Sequence, residues 1–160
     1  MSLVRFSAIA ATATFCFALL TPSACAETDV TERYLEHYLS GDIAGLAPYM
    51  SETIHFHDSV SWFDGKEAVL EGLTQVFADI PDISFEESTR YRSGHDTLVD
   101  GILIFDNAGR ALGVPGRVFH FEMPFAVSLR EVDGKIVSHV DFVDGPTFMT
   151  QFEAQLEAEH

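Results

Sequence analysis

Cysteine is nearly missing from this chain: there are two, Cys16 and Cys25, both close to its start. Basic side chains are scarce as well, nine Lys and Arg against 25 Asp and Glu, for a formal net charge of −16. A nucleic-acid-binding domain needs a basic footprint to meet phosphates, so that class is excluded. The same deficit argues against docking on anionic membrane surfaces. Beyond that, acidity speaks of solubility and not of chemistry. Internal repeats, low-complexity tracts and linker-like stretches are also lacking, which leaves one domain. The apolar run from Phe6 to Leu20 is too short and too weakly flanked for a confident membrane-spanning helix.

What is there begins with that run. Arg5 precedes it, and Thr21-Pro22-Ser23 and Ala24-Cys25-Ala26 follow it. A basic start, a short hydrophobic core and an A-x-A site form the layout of a secretory signal. Cleavage after Ala26 would make residues 1–26 the signal and 27–160 the mature domain, periplasmic or secreted. The alternative, a lipoprotein anchor at Cys25, is disfavoured by Pro22, where such signals usually carry Leu. Both cysteines then leave with the signal, and the mature chain has no disulfide. Roughly 130 residues must therefore bury a core by packing alone, which is enough for one ordinary domain.

Asp29 with Glu32 predicts a helix start and capping box, and Val30, Tyr34, Leu35, Tyr38 and Leu39 form its apolar stripe. Gly41-Asp42 ends this helix and caps a short second one from Ile43 to about Tyr49. A strand follows over Thr53 to Asp58, then a loop with Trp62. Asp64 can cap a third helix, Lys66 to about Asp79, which Pro81 ends. Alternation and turn residues predict strands over Ile83–Arg92, Leu98–Phe105, Arg117–Glu131 and Lys135–Val143. Phe148, Phe152 and Leu156 then recur at helical spacing. Helices first and a meander of strands after them define an α+β domain, its helices packed on one face of a curved sheet.

The last hairpin organises the rest. Asp133-Gly134 between two alternating apolar runs predicts a two-residue type I′ turn. In that register Val132 faces Lys135, Ser128 faces His139 and Ala126 faces Asp141. Ile136, Val140 and Phe142 would then share one face with Phe125, Val127 and Leu129. The other face would carry Val137, His139, Asp141 and Val143 beside Ala126 and Ser128. Two ionisable groups among small and apolar residues read either as the floor of a cavity or as a plainly solvated face.

Four stretches carry a family resemblance: Arg33-Tyr34-Leu35 with Ser40-Gly41-Asp42-Ile43; His57-Asp58; Phe63-Asp64-Gly65-Lys66-Glu67-Ala68-Val69; and Asp133-Gly134-Lys135-Ile136 leading into Asp141-Phe142-Val143-Asp144. Their order and spacing resemble the nuclear-transport-factor-2-like superfamily, especially its SnoaL-like members. The resemblance implies a cone-shaped, cystatin-like α+β barrel, with N-terminal helices in the concave face of a curved antiparallel sheet. Compared with ketosteroid isomerase, Tyr34 matches the catalytic Tyr of the first helix and Asp58 the general-base Asp closing the first strand. The isomerase works with a Tyr and a protonated Asp as oxyanion donors; here the hairpin register puts Ala126 where that Asp should stand. Asp141 matches instead the catalytic Asp on the last strand of SnoaL-like cyclases and limonene-epoxide hydrolases. The hydrolases also use an Arg-x-Asp pair, and Leu98-Val99-Asp100 offers the Asp without the Arg. The resemblance further implies a homodimer through the outer face of the sheet, which in this register would include Phe125, Val127, Val140 and Phe142.

A carboxylate desolvated in an apolar cone gains basicity, and a Tyr hydroxyl nearby can stabilise a developing oxyanion. Asp141, Asp58, Tyr34 and His139 are thus the candidate catalytic residues, for cofactor-free isomerisation, cyclisation, hydration or dehydration, or hydrolysis. The ligand would be a small apolar or partly oxygenated organic molecule. Trp62 at the mouth, Asp100, His120, Ala126 and Val143 are the candidate binding residues. The facing of His120 is unreadable, because Pro124 can carry a bulge. Each candidate has a plainer role. Tyr34 can be a packed core tyrosine, Asp58 a turn cap, and His139 a support for Asp141. His55-x-His57 invites a metal, but Asp58 points away from them and no third ligand has suitable spacing, so none is expected. The competing function is a non-catalytic binding or interaction module on the same fold.

Overall fold

The computed structural model describes residues 29–158; the expected signal segment and both cysteines lie outside the described residues. Asp29 caps helix α1 (Val30–Leu39), its carboxylate accepting from the Thr31 N–H at 2.9 Å. The other arm of the expected capping box is diverted, since Glu32 pairs with Arg90. Gly41 reverses the chain at φ +71, and Asp42 accepts from Gly45 N–H to start α2 (Ile43–Leu46). Then come β1 (Met50–His57), β2 (Trp62–Asp64), α3 (Lys66–Phe77), β3 (Asp82–Ser93), β4 (Asp96–Asn107), β5 (Phe119–Val132), β6 (Lys135–Val143) and α4 (Gly145–Glu157).

The six strands form one sheet in the order β2-β1-β6-β5-β4-β3, antiparallel except for the parallel pair β1–β6. Trp62–Asp64 is an edge strand on β1 and not a loop; three residues are too few for alternation to be read. Asp64 does not cap α3 either. Gly65 is the N-cap, and the Asp64 carboxylate pairs with the His55 ring at 2.5 Å.

The concave side holds α1 and α3, whose Tyr34, Leu35, Tyr38, Val69 and Leu73 pack against Phe56, Val99, Phe125, Val127, Leu129 and Ile136. A second cluster, Phe105, Phe119, Phe121 and Met123, is roofed by Phe148, Phe152 and Leu156 of α4, as their helical spacing predicts. A bulge at Ser88 of β3 turns Arg90 and Arg92 toward α1, where they pair with Glu32 and Asp29. Nearby, Gly101 allows two strands to approach closely. A Cβ there would collide with the Glu86 carbonyl oxygen and stand 2.7 Å from the Phe85 ring. Gly101→Ala should therefore cost about 1–3 kcal/mol, because backbone cannot rotate away from the clash. A urea titration reads this as a lower midpoint with unchanged slope.

The last hairpin departs from its expected register. The turn is as predicted: Asp133 and Gly134 adopt φ +51 and +73, and Val132 pairs with Lys135. One step later Glu131 pairs with Ile136 and Arg130 with Ser138, so Val137 is an extra, bulged residue. From there Leu129 faces His139, Val127 faces Asp141, Ala126 faces Phe142 and Phe125 faces Val143. A one-residue slip exchanges the faces of a strand. His139, Asp141 and Val143 thereby join the inner face with Phe125, Val127 and Leu129, while Val140 and Phe142 turn outward. The bulge brings the ionisable groups of β6 into the cone.

Candidate active site

A cavity of about 410 Å³ opens between the concave sheet, the end of α3 and the start of α4. Its walls are mainly apolar, with Phe56, Phe77, Leu103, Phe105, Met123 and Phe125 among them. Its polar side chains are Tyr38, Asp58, Ser59, Asn107 and Asp141.

Asp141 is 6% exposed and sits in a four-residue hydrogen-bonded chain. One carboxylate oxygen lies 2.7 Å from His139 Nε2, and the other accepts the Tyr38 hydroxyl. His139 is fully buried, and its Nδ1 lies 2.8 Å from the Tyr34 hydroxyl. The chemistry of the donors orders the protons. A carboxylate only accepts, so His139 donates through Nε2–H; a neutral ring then accepts at Nδ1 from the Tyr34 O–H. A doubly protonated ring would leave the Tyr34 O–H without an acceptor among the described residues. Burial, and after it the Asp141 charge, pushes both tyrosines well above the ordinary phenol range, so both stay protonated donors.

Sequence places this chain of groups simply. Tyr34 and Tyr38 are one helical turn apart on α1, with rings stacked at 6.4 Å. His139 and Asp141 are two apart on β6 and share its inner face. The His139 ring is wedged 4.5 Å from both Tyr38 and Phe56, which fixes its orientation.

The four expected catalytic residues divide into two tiers. Asp141 and Asp58 line the cavity. His139 stands behind Asp141 as a supporting group, and Tyr34 is sealed behind His139 with no exposure. The expectation that Tyr34 reaches the cavity is corrected: Tyr38, one turn further along the same stripe, takes that place. Asp58 has a second duty, since one of its oxygens accepts from Val60 N–H at 2.7 Å and Ser61 N–H at 2.5 Å. It caps its turn as well as facing the cavity.

Of the expected binding residues, Val143 lines the cavity and four do not. Trp62 is 65% exposed and rests on His57 at 4.7 Å, outside the cavity lining. Asp100 and Ala126 face each other across β4 and β5 in a shallow groove on the outer side. His120 is exposed, paired with Asp106 at 2.8 Å. The reason is parity. Pro124 carries no bulge, so β5 alternates strictly and its even-numbered residues all face outward. Tyr38 and Asn107 complete the polar lining; the sequence alone marks the first only as part of the α1 stripe and the second, in Asn107-Ala108-Gly109, only as a turn signal. The His55 and His57 rings are engaged by Asp64 and Trp62, and among the described residues no three His, Cys, Asp or Glu cluster to hold a metal ion. No helix among the described residues is long and apolar enough to cross a membrane.

Helices in the concave face of a curled six-stranded sheet, with an acidic residue on the last strand facing the hollow, define a nuclear-transport-factor-2-like cone. Within that class, the family model for SnoaL-like polyketide cyclase matches residues 28–152, and the chain belongs to this family. Among solved structures, a SnoaL-like polyketide cyclase from Shewanella denitrificans OS-217 superposes with a TM-score of 0.73 at 17% identity, covering 78% of this chain and 95% of that one. IdmH of Streptomyces antibioticus, described as a polyketide cyclase, gives 0.65 at 21% identity over 78% and 96%. TerC, co-crystallised with polyporic acid, gives 0.62 at 16% identity over 78% and 95%. At these identities the likeness is one of fold. No curated protein sequence matches the chain significantly.

Proposed function

We propose that this protein is an exported, cofactor-free acid–base enzyme of the isomerase, cyclase or hydratase–dehydratase type. Its substrate would be a mostly apolar, oxygenated small molecule held in the cone. One observation carries the reading: Asp141 sits at the wall of an apolar cavity, fixed by donors from His139 and Tyr38. In the proposed step an Asp141 oxygen takes the proton from a carbon next to a substrate carbonyl. The C–H bond breaks, an O–H bond forms on Asp141, and the electron pair moves to the carbonyl oxygen as an enolate. Tyr38, no longer holding a carboxylate, can turn its O–H to that oxygen. The Asp141 O–H exchanges with solvent and then gives its hydrogen to the rearranged carbon framework; alternatively the enolate carbon attacks a second carbonyl, whose C=O π bond breaks as the ring closes, and the new alkoxide takes the proton from Asp141. His139, hydrogen-bonded to Tyr34, keeps Asp141 in one orientation throughout.

The reading includes removal of residues 1–26 as a secretory signal, with 27–160 as the mature domain. It also includes a homodimer through the outer sheet face, now drawn on Val140 and Phe142, since Phe125 and Val127 are buried inside. A second reading, a non-catalytic small-molecule binder, is favoured by the protein partners that already engage Asp58 and both oxygens of Asp141. The two separate in one experiment. Incubated in D₂O with 1-tetralone, an enzyme of this kind incorporates deuterium next to the carbonyl well above the buffer rate, as mass spectrometry reads. Binding of the ketone with exchange at the buffer rate would leave the binder.

A further inference from the structure

We infer that Asn107 is a binding residue for an acceptor oxygen at the end of the ligand remote from the reacting carbon. The ligand class is thereby narrowed to a neutral, mostly apolar molecule with a second carbonyl or similar oxygen. This rests on the reading that the cavity holds the substrate.

Asn107 ends β4, is 8% exposed and lines the cavity. Its side-chain orientation is chemically fixed. The Gly109 backbone N–H lies 2.8 Å away and can only donate, so the amide oxygen must face it and the amide nitrogen must face the other way. Gly109 is itself tethered, its carbonyl accepting from Val114 N–H at 2.8 Å, and its φ of +75 with Val114 and Arg117 carbonyls packed close to it leaves room for glycine only. The Asn107 amide nitrogen has no hydrogen-bond acceptor among the described residues, and it is not sealed from the cavity. A ligand oxygen that takes the place of water on this donor keeps it paired, whereas an apolar group in the same place strands it.

The register places this donor far from the reacting end. Asp141 shares a cross-strand row with Val127 and Val99, whereas Asn107 pairs with Phe119, four inward-facing positions further along β4. Between them the lining is Leu103, Phe105, Met123 and Phe125. An apolar body with oxygens at both ends matches that distribution. The charged side chains of the cavity are Asp58 and Asp141, both acidic, so a neutral carbonyl is accepted where a carboxylate would be repelled.

The test compares 9-fluorenone with fluorene, which share a shape and differ by one acceptor oxygen; neither has a proton next to a carbonyl to lose. Dissociation constants are measured by competition fluorescence on the wild type, Asn107→Asp and Asp141→Asn. Aspartate keeps the acceptor for Gly109 N–H and removes the donor. The wild type should prefer the ketone about fivefold to tenfold, the worth of one net hydrogen bond. The preference should vanish in Asn107→Asp and persist in Asp141→Asn. In the wild type, the Asn107 side-chain NH₂ signals should also shift with fluorenone and stay with fluorene, which needs no variant to fold. Equal affinities in the wild type, a preference that survives Asn107→Asp, or one lost only in Asp141→Asn would each overturn the inference. Deuterium uptake by 1-tetralone is read separately. Its absence, with the Asn107-dependent preference intact, would remove the acid–base reading and leave this binding residue in place.

Discussion

Asp141→Asn should lower the deuterium-exchange rate of 1-tetralone about 10²–10⁴-fold, the usual contribution of a positioned base. The amide has nearly the shape of the carboxylate. Its oxygen can still accept from His139 Nε2–H and its NH₂ can donate to the Tyr38 oxygen, whose O–H turns to the cavity, so the fold should hold with a modest loss of stability. What disappears is the lone pair basic enough to take a proton from carbon. Ketone binding should change little, and the loss should appear in the turnover rate and not in the Michaelis constant. Asp58→Ala should behave differently. One Asp58 oxygen receives two backbone N–H bonds in its turn, so removing it should loosen that turn more than it slows exchange.

The second large effect is on stability. His139→Leu should cost about 2–4 kcal/mol in a denaturant titration, since it strands a buried Tyr34 hydroxyl and one oxygen of Asp141. Leucine fills much of the volume, so the loss measures missing hydrogen bonds more than a void. Adding Tyr34→Phe to the His139→Leu protein should then cost less than Tyr34→Phe does in the wild type, because the stranded hydroxyl goes with it. Equal costs in the two backgrounds would mean that the Tyr34–His139 bond contributes nothing. The exchange rate of His139→Leu should also fall, by less than that of Asp141→Asn, as expected of a group that orients the base without touching substrate.

Much of the fold was legible because local chemistry and global packing agree. Asp29, Gly41-Asp42 and Asp133-Gly134 do in the structure what caps and turns of those types do elsewhere, and of the α1 stripe Tyr34, Leu35 and Tyr38 are buried while Val30 and Leu39 are half-buried. The site was legible only in part. Asp141 stood out as a carboxylate among valines, and it does face the hollow. Uninterrupted alternation from the Asp133-Gly134 turn would pair it with Ala126, on the face opposite to Phe125, Val127 and Leu129, whereas the bulge at Val137 pairs it with Val127 and sets it on their face. Such a bulge leaves no mark in a chain that continues to alternate on both sides of it. Tyr34 and Tyr38 lie on one helical stripe, and periodicity cannot say which of two residues a turn apart meets the cavity. That depends on how deeply α1 sits in the cone. Trp62 was misread for a related reason: a three-residue edge strand has too little pattern to show its facing. Asn107 was hidden by its own turn signal, since the same side chain closes the turn with its oxygen and meets the cavity with its nitrogen.

The central claim is that one fixed carboxylate takes the proton from substrate. Its most direct test is the stereochemistry of exchange. The two hydrogens at C2 of 1-tetralone are equivalent to hydroxide or to a freely tumbling base, but not to an Asp141 held on one wall of the cavity. Deuterium NMR of the product in a chiral medium, at low conversion, should find the label on one face of C2 only. Label divided equally between the two faces, at a rate above buffer, would contradict the account.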